Sequence, residues 1–252
     1  SPQPPVFSFS FDFSNASSYD PKRDLYFEGN AFPNRGWVDL TCDGTGEDLV
    51  NCAGRMSFIT NFTFSIDQVD DEDLGEGIAF FLSSYPSKMP PESYGENLGL
   101  LNSNDPVAYG SEQFVAVEFT SNHDLNYSYI GININSLSSF NTTRLPSNQS
   151  LIGTWIATIK FNNITSVLVA SLRSFDNATM EPLVVSRELQ DIKTLLPQEV
   201  AVGFSASIGY TYRELNKILA WSFNSTLAPP PPPPPTPHNK KGMSTARTPC
   251  SG

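Results

Sequence analysis

Hydrophobic and polar residues alternate with a period of two from the start of the chain, where Ser8, Ser10 and Asp12 separate Phe7, Phe9, Phe11 and Phe13. Successive side chains of an extended chain point to opposite faces, so this predicts a strand with one buried and one solvated face. The pattern returns in Phe58, Thr60, Phe62, Phe64 and Ile66. Three other runs are apolar without alternation: Gly77 to Leu82, Phe114 to Phe119 and Tyr129 to Ile134. They are short and bounded by turn residues, which predicts central strands covered on both faces. Trp155 to Phe161 and Ser166 to Leu172 flank Asn162-Asn163-Ile164-Thr165, a good hairpin connection. Val200 to Ser205 and Ile218 to Phe223 add two late strands, and only Leu189 to Leu196 reads as helical. Many short, turn-punctuated strands with almost no helix predict an all-β antiparallel sandwich or jelly roll.

After Leu227 the pattern stops. Pro229 to Pro235 is an unbroken proline run, which forms extended polyproline II and cannot join a sheet. The chain therefore divides into a folded domain over residues 5–227 and a proline-rich linker with a disordered polar tail over 228–252. The proline run reads as a semi-rigid spacer, with a docking ligand for a proline-binding module as the alternative.

Composition narrows the partners. A chain of 252 residues with 39% hydrophobic content supports one large sandwich core. Its formal net charge of -11 sets it against nucleic acid and anionic lipid, which it would repel. The acidic run Asp70, Asp71, Glu72 and Asp73 reads as a solvated loop rather than a catalytic cluster. No stretch approaches the ~18 apolar residues of a membrane-spanning helix, and a start at Ser1 fits a mature chain whose signal peptide has been removed.

Eight Asn-X-Ser/Thr sequons, at Asn15, Asn61, Asn126, Asn141, Asn148, Asn163, Asn177 and Asn224, point to the secretory pathway. Asn61 falls on the outward phase of its predicted strand, where a glycan must go. Cys42 and Cys52 bracket the polar loop Asp43 to Asp48, which can bend back and bring the sulfurs within bonding distance; an oxidising compartment would close that bridge, and two buried thiols are the alternative. Cys250 is left over in the tail.

Taken in order, Phe7-Ser8-Phe9-Ser10-Phe11, Gly77-Ile78-Ala79-Phe80-Phe81-Leu82, Leu98-Gly99-Leu100-Leu101-Asn102, Val115-Ala116-Val117-Glu118-Phe119, Ile130-Gly131-Ile132-Asn133-Ile134-Asn135-Ser136, Leu196 to Ala206 and Ala220-Trp221-Ser222-Phe223 resemble the legume (L-type) lectins across about 220 residues. The cysteine loop and proline spacer look most like the ectodomains of plant L-type lectin receptor kinases. The resemblance implies a concanavalin-like jelly-roll sandwich with a shallow sugar site in the loops at one end. It also implies calcium and manganese beside that site, and the possibility of a homodimer through the back sheet.

Against the family pattern the metal residues are depleted. Glu118 is kept, but Thr120 stands where the family has Asp and Tyr129 where it has His, and the intervening loop is shorter. Calcium needs six to eight oxygens with carboxylate charge among them, so the expectation is no metal, with Glu118 and Asp124 as residual candidates. The sugar contacts carried over from the family are the carboxylate of Glu76, a backbone N–H at Gly95 or Glu96, Asp124 in place of an amide, and Gly209 and Tyr210 in the last variable loop. Ordinary packing at the sandwich end is the alternative for the loop tyrosines.

Three functions follow. The first is an extracellular recognition domain, secreted or tethered to the plasma membrane, with weak or altered sugar binding and a glycan, another extracellular ligand or a protein co-receptor as partner. The second is a working metal-dependent lectin for glucose/mannose-type or complex glycans, rebuilt on His123, Asp124 and Asn126. The third, a jelly-roll glycoside hydrolase, needs two carboxyl groups about 5 Å apart, commonly on alternate residues of one strand. Thr120 occupies the alternate position from Glu118, and His123 and His238 have no nucleophile elbow nearby, so no catalysis is expected.

Overall fold

A computed structural model describes residues 6–15, 17–20, 24, 26–28, 32–33, 38–39, 45–47, 49–50, 56–68, 75–122, 127–138, 141–190, 192–196, 200–207 and 214–227. In chain order the strands are β1 (Val6–Asp12), β2 (Tyr26–Glu28), β3 (Phe32–Pro33), β4 (Val38–Asp39), β5 (Thr45–Glu47), β6 (Leu49–Val50), β7 (Met56–Gln68), β8 (Ile78–Ser84), β9 (Phe114–Asn122), β10 (Tyr127–Ile134), β11 (Asn141–Arg144), β12 (Gly153–Asn162), β13 (Val167–Ser174), β14 (Leu183–Glu188), β15 (Val200–Ala206) and β16 (Glu214–Leu227). One short helix, α1 (Ile192–Leu195), lies within the stretch that reads as helical in the sequence.

The strands form two antiparallel sheets. The back sheet runs β14-β13-β12-β7-β16-β4-β3, with β1 also on β16; the front sheet runs β11-β10-β9-β8-β15-β5-β2, with β6 on β15. This is the all-β jelly-roll sandwich that the alternation predicts. Phe58, Phe62, Phe64 and Ile66 project inward from β7, and Asn61 between them is exposed. Rings from both sheets meet across the core: Phe62 lies edge-on to Phe204 at 4.7 Å, and Phe204 edge-on to Trp221 at 4.8 Å. Edge-to-face geometry sets the positive ring edge of one against the negative face of the other.

The front sheet is buried on both sides, as its uninterrupted apolar runs require. Ile78, Phe80, Leu82, Val115, Val117, Phe119, Ile130 and Ile132 enter the main core. On the other side Ala79, Phe81, Phe114 and Ala116 meet Leu98, Leu100, Leu101 and Ala108 from the loop between β8 and β9. That second, smaller core holds the loop against the sheet and so fixes the walls of the cavity described next.

The short and polar strands carry no such pattern in the sequence. β11 and β14 sit at the sheet edges, and Thr45–Glu47, inside the loop between the cysteines, pairs with β2 and with β15. These segments lack alternation of their own, and backbone pairing with a preformed partner orders them. Cys42 and Cys52 lie outside the described residues.

Candidate functional site at the loop end of the front sheet

The end of the front sheet carries a cavity of roughly 450 Å³. Its floor comes from the sheet. In the antiparallel register Glu118 stands opposite Gly131, and Thr120 opposite Tyr129. The period of two therefore puts Glu118, Thr120 and Tyr129 on one face, away from the main core. Gly131 has no side chain, so Tyr129 can reach diagonally to Glu118. Its walls are Glu76 before β8, the segment from Glu96 to Pro106, and Ser136 to Ser138 after β10.

Backbone bonds hold the walls. Asn135 is in the left-handed region at φ 57°, and its side chain accepts from Phe114 N–H at 2.8 Å while its carbonyl accepts from Ala108 N–H at 2.7 Å. Gly95 begins a single 3-10 turn, Gly95–Asn97, and its carbonyl accepts from Leu98 N–H and from the hydroxyl of buried Ser207. Ser207, just after β15, thus ties the turn that carries Glu96 to the strand preceding the last variable loop.

Glu76 sits on an arch, Gly75-Glu76-Gly77, braced from beneath by Glu214. Glu214 Oε1 accepts from Gly77 N–H at 2.6 Å and from Asn216 Nδ2 at 3.0 Å, while Oε2 has no hydrogen-bond partner. Burial pushes the Glu214 carboxyl above the usual carboxylate range; the bonds from Asn216 and Gly77 act against that without cancelling it. Glu214 and Asn216 went unremarked in the sequence. Extending the inward phase of Ile218 back along β16 would have found both as polar residues at core-facing positions. The Gly75–Glu76 peptide is trans; among the described residues the cis bond is Tyr85–Pro86.

On the floor, burial raises the Tyr129 phenol well above its ordinary range, reinforced by the charge of Glu118 and by a hydrogen bond to it. Tyr129 is therefore a neutral donor to the Glu118 carboxylate, which is itself only 2% exposed. Thr120 beside it is buried, and its Oγ1 has no hydrogen-bond partner.

The structure thus gathers Glu76, Glu96 and Glu118 around one cavity, with Gly95 in the adjoining turn. Asp124, Gly209, Tyr210, His123 and Asn126 lie outside the described residues. Asn15, Asn61, Asn141, Asn148, Asn163, Asn177 and Asn224 are all exposed or half-buried.

A two-sheet jelly roll with a loop-walled polar cavity at one end of its front sheet defines a lectin-type recognition domain. The chain belongs to the legume lectins: the Legume lectin domain profile matches residues 8–240. It is 33% identical over 246 residues to agglutinin-2 of Cladrastis kentukea, covering 87% of this chain and 82% of that one. Among solved structures, the Lotus tetragonolobus seed lectin superposes with TM-score 0.75 at 29% identity, covering 89% of this chain and all of that one. The Bauhinia forficata lectin in complex with GalNAc superposes at 0.72 with 27% identity, covering 88% and 99%. These relatives are lectins, and the domain is a carbohydrate-binding one rather than an enzyme.

Proposed function

We propose that this domain recognises an extracellular ligand through the loop-end cavity without the calcium and manganese typical of its family. The carrying observation is the register that sets Thr120 and Tyr129 beside Glu118 on the cavity floor. A transition-metal site needs an imidazole or a further carboxylate where these strands offer a phenol and a threonine hydroxyl. A neutral phenol is a poor metal ligand. Among the described residues no group of three or more His, Cys, Asp or Glu side chains could hold a metal ion. Among the described residues Glu118, Thr120 and Tyr129 do not fit the metal pair, and Ser207 and Glu214 brace the loops around them. The sugar complex of the Bauhinia lectin supports a glycan as ligand class; the divergent lining supports a specificity away from simple neutral sugars.

Calorimetric titration of the secreted full chain with calcium, and separately with manganese, is expected to give no saturable heat. Saturable uptake near one ion of each kind would overturn the reading and restore a metal-dependent lectin.

The surface sequons and the proline spacer support an extracellular domain held on a stalk, as in a receptor-kinase ectodomain at the plasma membrane. Asn61 and Asn224 lie on the outward face of the back sheet, on neighbouring strands β7 and β16. Glycans there would obstruct a back-sheet homodimer. Protein secreted from plant cells is expected to lose several glycan masses on endoglycosidase treatment and to sediment as a monomer before it. An unshifted mass would remove the secretory assignment.

A further inference from the structure

We infer that Ser207 is a positioning residue for recognition: its hydroxyl turns the Gly95–Glu96 peptide so that the Glu96 N–H is presented to the cavity as a donor for a glycan oxygen. This rests on the reading of the cavity as a metal-free ligand site. Strand β15 ends at Ala206, which stands opposite Ile78, so Ser207 comes level with the Gly75-Glu76-Gly77 arch. From there its buried side chain donates across to the Gly95 carbonyl. The same carbonyl accepts from Leu98 N–H at 3.0 Å, so both of its lone pairs are used.

Gly95 does little to hold the plane of its own peptide. Its φ is 62°, and a Cβ there would meet nothing within 4 Å, so neither side-chain sterics nor packing fixes the orientation. The stem of the loop is held separately, because Gly99 N–H donates to the Ser93 carbonyl at 2.7 Å and Ser103 N–H to the Glu92 carbonyl at 3.1 Å. What Ser207 adds is the direction of one peptide. The Gly95–Glu96 bond is trans, and in a trans peptide the carbonyl and the N–H point opposite ways. Ser207 is 3% exposed and draws the carbonyl into the protein. The N–H is thereby turned outward, on an exposed residue that lines the cavity. Among the described residues Glu96 N–H has no hydrogen-bond partner. A backbone donor does not depend on the side chain it precedes, so the carboxylate of Glu96 leaves it in place. Its complement is an acceptor, a hydroxyl or acetamido carbonyl oxygen of a glycan.

The test is amide NMR on the isotope-labelled, secreted full chain without added metal, titrated with N-acetyl-D-galactosamine and, separately, with a biantennary complex N-glycan. With at least one of them the Glu96 amide proton is expected to shift saturably downfield as it gains an acceptor. Ser207→Ala is expected to weaken that binding about three- to tenfold, the weight of one hydrogen bond, and to remove the Glu96 shift, while the amides of β9 and β10 keep their parent positions. Ser207→Thr keeps the hydroxyl and is expected to restore both, which a loss of packing alone would not produce. Binding that moves the amides of Asn102 and Ser136 but not that of Glu96 overturns the inference and leaves the ligand cavity standing. The parent chain alone gives that answer should Ser207→Ala fail to fold. Equal affinity of the parent and Ser207→Ala overturns it in the same way. A glycan that binds only after calcium and manganese are added overturns the metal-free reading, and the Glu96 shift in that bound form then sustains or sinks the inference by the same comparison. No shift with either glycan, with or without the metals, overturns both.

Discussion

Replacing Gly77 with alanine is expected to destabilise the domain by about 3–5 kcal/mol, combining strained backbone with overpacking, and to lower the melting temperature by roughly 10 °C. Gly77 has φ 96°, in a region that L side chains rarely adopt, and a Cβ there would fall on the carbonyl oxygen of Phe119. That oxygen belongs to β9 at the centre of the front sheet, so it cannot move aside as a flexible side chain would. Gly75→Ala makes the control. There the added carbon meets the Glu214 side chain, whose carboxylate also holds the arch. Thermal unfolding should therefore rank Gly77→Ala below Gly75→Ala, with both below the parent. A loss under about 1 kcal/mol for Gly77→Ala would mean that the arch does not approach β9 as described.

Removing the brace is the second large effect. Glu214→Ala removes the acceptor of Gly77 N–H in a buried place, an expected cost of about 3 kcal/mol. Glu214→Gln keeps an acceptor oxygen and separates charge from shape. The folded carboxyl holds its proton more tightly than the unfolded one, because burial raises its pKa. The stability it contributes is therefore full below the unfolded value, about 4.3, and is lost as pH rises through the folded value. Relative to the parent, Glu214→Gln should gain stability as pH rises above the unfolded value of about 4.3. A melting-temperature difference that stays constant over that range would show that the carboxyl titrates alike in both states.

Much of this molecule could be read from the chain by pattern. The alternation in Phe58 to Ile66 and the unbroken runs at Gly77, Phe114 and Tyr129 give the long strands because burial of each face is a local property of period two. The order of those motifs also carries the family, and with it the place of Glu76, Gly95, Glu96 and Glu118 near one end of the sheet. β11 was illegible because Asn141 to Arg144 has no apolar phase; β10 selects it by offering unpaired backbone groups.

The sequence by itself determined which residues face the core. Only the tertiary structure decided which polar residues meet at the loop end. Thr120 and Tyr129 become neighbours through antiparallel register, and the Tyr129–Glu118 bond forms across the gap that Gly131 leaves between strands. Glu214 comes beneath Gly77 from 137 residues away. A hydrogen bond depends on distance and direction in space, which no spacing along the chain encodes, so the braces of the cavity appear only when the sheets are assembled.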